Sequence, residues 1–254
     1  MTTLTIDMGF SKESLEKIPR GEIEEVQIGP NSTVRDFGFL REFSNIRTIE
    51  MQSKMILDFS FVNSLGKLQE ILGLPCKISG LIDCPSLEVL CADYSRKLRL
   101  SENCRALREV SVSYCSSPET FFGDLKNLAA LNSLFVYGGS VQDLRCMDGL
   151  RLEKLTLCAM RTLRSLDGIG NLSGTLRSLR IESTSNIDGW TDLSRLDGLE
   201  SLVIAKSGEI RDLSFLSRMT SLRSLRILNT KISDKNIAQI EKIPEVDLHG
   251  TGIE

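Results

Sequence analysis

The sequence contains few of the residues from which catalytic and metal sites are usually built. It has one histidine, His249, and one tryptophan, Trp190, among 254 residues. Its seven cysteines include no C-x-x-C pair, the spacing that structural zinc sites generally use. No glycine-rich loop is followed by Lys-Ser or Lys-Thr, so the common phosphate-binding loop is absent from the sequence. We therefore expect no cofactor, no metal and no small-molecule substrate.

The sequence also lacks a charge excess and a long apolar run. Its formal net charge is −3, which gives no bulk attraction to nucleic acids or anionic membranes. No apolar stretch approaches the roughly 18 residues that a membrane-spanning helix needs. The N-terminal residues MTTLTIDMGF have no basic segment followed by an apolar core, as a secretory signal would. We expect a cytoplasmic protein with reduced thiols and no membrane contact.

One apolar pattern, L-x-x-L-x-L, runs through the whole chain. LESLVI begins at Leu199 and LRSLRI begins 23 residues later at Leu222. The first positions of the twelve matches are Met1, Ile23, Ile46, Leu68, Leu87, Leu107, Leu131, Leu152, Leu176, Leu199, Leu222 and Ile243. Repeats at this period stack, because a single unit cannot bury its own apolar side. The pattern predicts one repeat domain over residues 1–254.

The repeat resembles the leucine-rich repeat family, most clearly over residues 210–227 and 141–157. The resemblance is to the ~22-residue type of bacterial internalin-like and eukaryotic phosphatase-regulator-like proteins. It implies an α/β solenoid of about 12 repeats, with a curved parallel sheet on the concave face and short helices and 3₁₀ turns on the convex face. The family carries Asn or Cys at the ninth position, where the side chain satisfies loop backbone groups. That column here reads Asn31, Cys76, Cys115, Thr184, Ser207, Thr230 and Thr251.

Local signals refine this expectation. Capping serines followed by helix-forming residues predict short helices over 11–18 and 233–242. Asp-Leu-Ser at 192–194 and 212–214 predicts capped helical or 3₁₀ turns. Gly73 occupies a sixth position that should be apolar, so the unit at 68–86 is expected to be distorted. Trp190 lies in an outer segment and is expected to pack on the convex side.

Strand alternation predicts which side chains face solvent. If the fourth and sixth positions of each unit point inward, the third, fifth and seventh point outward. The outward columns carry acidic residues in the N-terminal half, then aromatic residues, then two arginines. Aromatic residues and arginine are enriched where proteins bind one another. The candidate partner-binding residues are Glu50, Asp93, Tyr94, Glu109, Tyr114, Phe135, Tyr137, Arg180 and Arg226.

These features favour a non-enzymatic protein-binding module. His249 lies about 34 Å from Cys91 and about 19 Å from Cys158 if strands are about 4.8 Å apart, too far for a catalytic pair. The resemblance implies a partner protein on the concave face. One alternative is a bacterial immunity protein that neutralises a cognate toxin, because an acidic face suits a basic partner. A nucleic-acid-associated scaffold subunit is less favoured, and end-to-end assembly through the terminal strands also stays open.

Overall fold

The computed structural model describes residues 2–52, 58–75, 80–94, 97–234 and 237–253. Their contacts group them into two compact units. The first contains Met1–Ser113 with Asn127–Leu131, and the second contains Tyr114–Lys126 with Asn132–Glu254. Both units are built from short parallel strands joined by turns, as the repeat pattern predicts. That the whole chain forms one domain remains a prediction.

The first unit contributes six strands to a parallel sheet and two strands to a smaller one. The main strands are β1 (Thr2–Ile6), β2 (Ile23–Ile28), β3 (Thr48–Met51), β4 (Glu70–Leu74), β6 (Val89–Asp93) and β8 (Glu109–Ser113). They lie side by side in the order β1-β2-β3-β4-β6-β8. The smaller sheet pairs β5 (Gly80–Ile82) with β7 (Leu98–Leu100), and these two strands were not predicted from the sequence.

The second unit contributes six more parallel strands in chain order. They are β9 (Ser133–Tyr137), β10 (Lys154–Cys158), β11 (Ser178–Glu182), β12 (Ser201–Ala205), β13 (Ser224–Leu228) and β14 (Glu245–Asp247). From β9 to β13 the register is unbroken, so equivalent repeat positions lie directly beside one another. Apart from β5 and β7, each unit contributes six strands, and these twelve match the twelve predicted repeats.

The inward columns form the core, as strand alternation predicts. In the second unit the fourth and sixth side chains of β9 to β13 are at most 1% exposed; examples are Leu134, Leu157 and Ile204. Burying a side chain of this size stabilises the fold by roughly 1.5–3 kcal/mol, so these columns supply much of the stability of the unit. The last strand differs, because its inward Val246 is 40% exposed.

The connections on the other side of the sheet are mostly 3₁₀ helices. They span Lys12–Lys17, Gly38–Glu42, Ser60–Ser64, Arg145–Met147, Ile169–Leu172, Thr191–Arg195, Ser214–Arg218 and Ile240–Lys242. One α-helix, α1 (Pro118–Leu125), lies in the second unit. The Asp-Leu-Ser segments form 3₁₀ turns as predicted; Asp212 accepts from the Ser214 N–H (2.7 Å), whereas Asp192 lies inside a turn that begins at Thr191. The predicted helix over 11–18 is a 3₁₀ helix. The one over 233–242 is a 3₁₀ turn at its end; residues 235 and 236 lie outside the described residues.

Strand β4 contains the predicted distortion. Ile71 pairs with Leu90 but Leu74 pairs with Ala92, so β4 carries one extra residue. Gly73 adopts a φ of +80°, and a Cβ there would lie 2.2 Å from the Met51 carbonyl oxygen. This is the geometry of a β-bulge that requires glycine. The prediction that Leu74 faces outward is wrong, because the bulge turns it into the core, where it is fully buried.

A row of hydroxyl groups replaces the family's asparagine column in the second unit. The hydroxyl of Thr184 accepts from the Met160 N–H (3.3 Å) and donates to the Glu182 carbonyl (3.1 Å). Ser207 and Thr230 repeat this arrangement in the next two units. In the first unit Asn31 is exposed, and its backbone N–H donates to the Asp7 carboxylate (3.1 Å). Cys115 is fully buried, and Cys76 lies outside the described residues.

We expect Thr184→Val to lower the free energy of unfolding by about 1–3 kcal/mol. Valine keeps the shape of the side chain but leaves the buried Met160 N–H and the Glu182 carbonyl without this partner. The measurement is chemical denaturation of the variant beside Thr220→Val, an exposed threonine outside this row. Equal midpoints for the two variants would contradict the role of the hydroxyl row.

Candidate protein-binding surface

The third, fifth and seventh side chains of each strand form one side of the sheet, here called the strand face. In the first unit this face carries carboxylates. Glu50 is half-buried and accepts a hydrogen bond from the Gln52 amide (3.3 Å). Glu25 accepts from Thr3 (2.9 Å) and Gln27 (3.0 Å). Asp93 is half-buried and Glu109 is exposed. The predicted acidic residues therefore reach the surface of this unit.

Tyr94 does not belong to the exposed surface. It lies one residue beyond the end of β6 and only 9% of it is exposed. Its N–H donates to the Ser113 carbonyl (2.8 Å), which holds the backbone against the next strand. An aromatic ring that is nine-tenths buried offers a partner little area. We therefore assign Tyr94 to packing and leave it out of the proposed surface.

Three aromatic side chains of the second unit are exposed together and are called the aromatic cluster: Tyr114, Phe135 and Tyr137. Their exposed fractions are 62%, 37% and 37%. The rings of Tyr114 and Tyr137 meet edge to face, with centroids 5.7 Å apart and planes at 87°. Phe135 lies two residues before Tyr137 on the same face of β9. Three of the four predicted aromatic residues are therefore accessible, and Tyr94 is not.

The position of the Tyr114 ring depends on a left-handed backbone conformation. In the second unit the eighth position of each repeat has a positive φ, which turns the chain away from its strand. The residues of this column are Tyr114, Gly138, Ala159, Ser183, Lys206, Asn229 and Gly250, with φ between 47° and 69°. The N–H of each column residue that has a following repeat donates to the carbonyl oxygen at the seventh position of that repeat. For Tyr114 the acceptor is the Tyr137 carbonyl, at 2.7 Å. Tyr114 is the one aromatic residue of the column.

A bulky residue in this conformation is unusual and costs roughly 1–2 kcal/mol compared with an ordinary one. Ala159, Ser183, Lys206 and Asn229 share this conformation, so it belongs to the repeat and does not by itself mark Tyr114 as a binding residue. The column could have been recognised in the sequence from Gly138, Asn229 and Gly250, residues that favour positive φ. That Tyr114 occupies this left-handed column was not predicted from the sequence.

The two predicted arginines are both paired on the strand face. Arg180 donates through Nε (2.9 Å) and Nη2 (2.6 Å) to the same carboxylate oxygen of Glu182. Arg226 donates to Asp247 at 3.3 Å. Both guanidinium groups are partly or fully exposed, so these pairs add little stability and can exchange for a partner's carboxylate.

The thiols are poorly suited to nucleophilic chemistry. Burial raises the pKa of Cys84 and of Cys115 to about 12 and that of Cys146 to about 11. Burial, then the Glu182 carboxylate, raises the pKa of Cys158 on the strand face. These groups stay protonated at neutral pH, whereas a reactive cysteine is a thiolate. In the part of the chain that the structure describes, no three His, Cys, Asp or Glu side chains lie close enough to hold a metal ion.

A shallow groove on the second unit is lined by Arg164, Asn186, Trp190 and Glu209, among others. Trp190 is 3% exposed and its indole N–H donates to the Glu209 carbonyl (3.3 Å), which agrees with the predicted packing role. Hydrogen bonds from Lys231 and then Arg211 lower the pKa of the Glu209 carboxyl to about 2. Glu209, Arg211 and Lys231 therefore satisfy one another's charges at this groove.

Two solved structures are similar to this chain in fold. An internalin from Listeria monocytogenes aligns with a TM-score of 0.62 and 14% identity over 91% of this chain and 68% of that one. The TLR13–ssRNA13 complex aligns with a TM-score of 0.63 and 16% identity over 91% of this chain and 40% of that one. No protein-family model and no curated protein matches the sequence.

Among the described residues, no helix is long and apolar enough to cross a membrane. The parallel strands, the buried L-x-x-L-x-L columns and the two similar structures agree on one architecture. The chain is a leucine-rich repeat protein by its fold.

Proposed function

We propose that this chain is a non-enzymatic protein-binding module whose partner docks on the strand face of the second unit, at the aromatic cluster. The observation that carries the proposal is the exposure of Tyr114, Phe135 and Tyr137 beside strands whose inward side chains are fully buried. Aromatic residues supply most of the binding energy at many protein interfaces. Exposing three neighbouring rings without a partner would otherwise favour aggregation.

A second candidate function uses the strand face of the first unit. Its outward columns hold Asp7, Glu25, Glu50, Glu70, Asp93 and Glu109 and no lysine or arginine. An acidic surface accelerates and orients association with a basic protein. This favours a cytoplasmic immunity protein that neutralises a basic toxin by direct binding. Protection of cells that express the neighbouring gene supports this candidate, and a neighbouring gene that is harmless when expressed alone contradicts it.

Nucleic-acid binding is the weakest candidate, although one similar structure is a complex with single-stranded RNA. Contact with phosphates needs several lysine or arginine side chains on one surface. The outward columns contain three, Lys154, Arg180 and Arg226, and two of these are paired with carboxylates. Failure to retain RNA at low salt would remove this candidate.

We expect Phe135→Ala combined with Tyr137→Ala to weaken partner binding at least ten-fold, or about 1.4 kcal/mol. Both rings are more than one-third exposed, so their removal should change the melting temperature by only a few degrees. The measurement is affinity capture from host lysate with quantitative mass spectrometry, followed by titration of the captured protein.

The matched control is Val203→Ala with Leu228→Ala, two apolar side chains on the outward positions of β12 and β13. The partner should be lost with the aromatic variant and kept with the control. Equal capture by both variants would place the site elsewhere. A steep fall in melting temperature for the aromatic variant would show that the rings support the core.

A further inference from the structure

We propose that the aromatic cluster binds a peptide segment of the partner in which an apolar or aromatic anchor is flanked by a carboxylate, and that Lys154 contacts this carboxylate. The inference rests on the proposed function and names the chemistry of the partner. It is carried by the charges and hydrogen-bonding groups of strands β9 to β13.

The outward positions of these five strands carry three cations, Lys154, Arg180 and Arg226, and one carboxylate, Glu182. This balance of charges differs from that of the first unit, where every charged residue at an outward position is acidic. Both arginines are already in ion pairs, Arg180 with Glu182 and Arg226 with Asp247. Among the described residues, Lys154 takes part in no ion pair and is exposed. It is the cation of this surface that a partner can neutralise without breaking an existing pair.

Lys154 lies next to the aromatic cluster. It pairs with Ser133, and Phe135 follows two residues later on the same strand. A strand spacing of about 4.8 Å and a rise of about 3.3 Å per residue place the Lys154 and Phe135 Cα atoms about 8 Å apart. A lysine side chain extends over most of that distance. If an apolar side chain of the peptide packs on Phe135 and Tyr137, the peptide residues beside it therefore lie within reach of the Lys154 ammonium group.

The row through Lys154 supplies hydrogen-bond donors. In register across β9 to β13 it reads Ser133, Lys154, Ser178, Ser201 and Ser224. These serines are half-buried, and in the described part of the chain none of their hydroxyls bonds to another protein group. Hydroxyls beside an ammonium group suit a ligand rich in acceptors, namely a carboxylate and the carbonyl oxygens of an extended peptide. The first carboxylate in register with this row is Glu245 on β14, four strands from Lys154.

The experiment selects peptides from a random display library on the wild-type chain and on the Tyr114→Ala/Phe135→Ala/Tyr137→Ala variant. We expect peptides that bind only the wild type to combine an aromatic or large aliphatic residue with Asp or Glu within a few positions. Replacing that Asp or Glu by its amide should weaken binding about ten-fold. Lys154→Met should remove this difference, and Lys154→Glu should select peptides with Lys or Arg at the same place.

Lys206→Met, an exposed lysine elsewhere in the second unit, serves as the control and should leave the selection unchanged. Peptides that depend on the aromatic cluster but show no acidic preference, or a basic one, would overturn the role of Lys154 and leave the proposed function intact. A selection that yields no peptide dependent on the cluster would count against both proposals.

Discussion

Alanine in place of Gly139 is expected to lower the free energy of unfolding of the second unit by about 2–5 kcal/mol. Gly139 has a φ of +100°, and a Cβ there would lie 2.3 Å from the carbonyl oxygen and 2.7 Å from the nitrogen of Cys115. A left-handed conformation costs a residue with a Cβ about 1–2 kcal/mol, and overpacking against a fixed neighbour typically adds about 1–3 kcal/mol. Backbone atoms, unlike the end of a flexible side chain, cannot move aside.

Gly174→Ala is the matched control. This glycine also lies in a connection of the second unit, has no positive φ, and has no heavy atom within 4 Å of the place of its Cβ. Its replacement should leave stability unchanged or raise it by about 0.4–1 kcal/mol, because alanine restricts the unfolded chain. Guanidinium denaturation followed by far-UV circular dichroism compares the two. A Gly139 variant as stable as the control would show that the turn after β9 can rearrange.

The Gly139 turn also supports the proposed surface. Gly138 holds the eighth position beside Tyr114, and a Cβ on Gly138 would meet the Tyr114 ring at 3.4 Å. Ser140, which follows Gly139, donates its N–H to the Cys115 carbonyl at 2.8 Å. Two consecutive glycines thus let the chain leave β9 close to the preceding repeat while the Tyr114 ring stays against Tyr137. The surface and the turn that supports it share one short segment of backbone.

The strands could be predicted because their signal is local. Each strand alternates buried and exposed side chains, so Leu134 and Val136 face inward and Phe135 faces outward whatever the loops do. The same rule fails at Leu74, because the bulge at Gly73 adds one residue and so reverses the face of the sheet on which the Leu74 side chain lies. The pair β5 and β7 was missed because three-residue strands carry too short a pattern to recognise.

The candidate site could be predicted only in part, for a different physical reason. Alternation shows which side of the sheet a residue takes, but the exposure of a ring also depends on the loop beside it. Tyr94 and Tyr114 occupy the same position of successive repeats, and yet they are 9% and 62% exposed. The pairing of Arg180 with Glu182 likewise depends on rotamers that a sequence does not specify. The sequence therefore identifies the face, and the structure selects the residues on it.

The first unit and the second unit have opposite chemistry on their strand faces. In the first unit, Glu25 and Glu50 accept hydrogen bonds from polar neighbours, and among the described residues of this unit no exposed aromatic cluster accompanies them. In the second unit the aromatic cluster lies beside Lys154 and the serine row. The two proposals therefore differ in the partner segment that they require, a basic one for the first unit and an acidic, anchored one for the second. Separate substitutions in each unit distinguish these possibilities.

Tyr114→Gly is expected to weaken partner binding at least ten-fold, about 1.4 kcal/mol, while the free energy of unfolding changes by less than about 1 kcal/mol. Removing the ring loses its edge contact with Tyr137, worth roughly 0.5–1.5 kcal/mol. Glycine at a φ of 58° relieves a strain of about 1–2 kcal/mol, so the two effects nearly cancel in stability. Binding has no such compensation, because Tyr114 is 62% exposed and its ring is available to a partner.

Two controls separate strain from recognition. Lys206→Gly relieves the same strain at the equivalent position of another repeat, where φ is 48°, and should raise stability by up to about 1 kcal/mol without affecting binding. Tyr114→Phe keeps both the ring and the strain and should bind nearly as well as the wild type. If Tyr114→Gly behaves like Lys206→Gly in the binding titration, Tyr114 is a tolerated residue of the turn. If it loses binding at unchanged stability, the Tyr114 ring contributes to recognition, while its left-handed backbone belongs to the repeat.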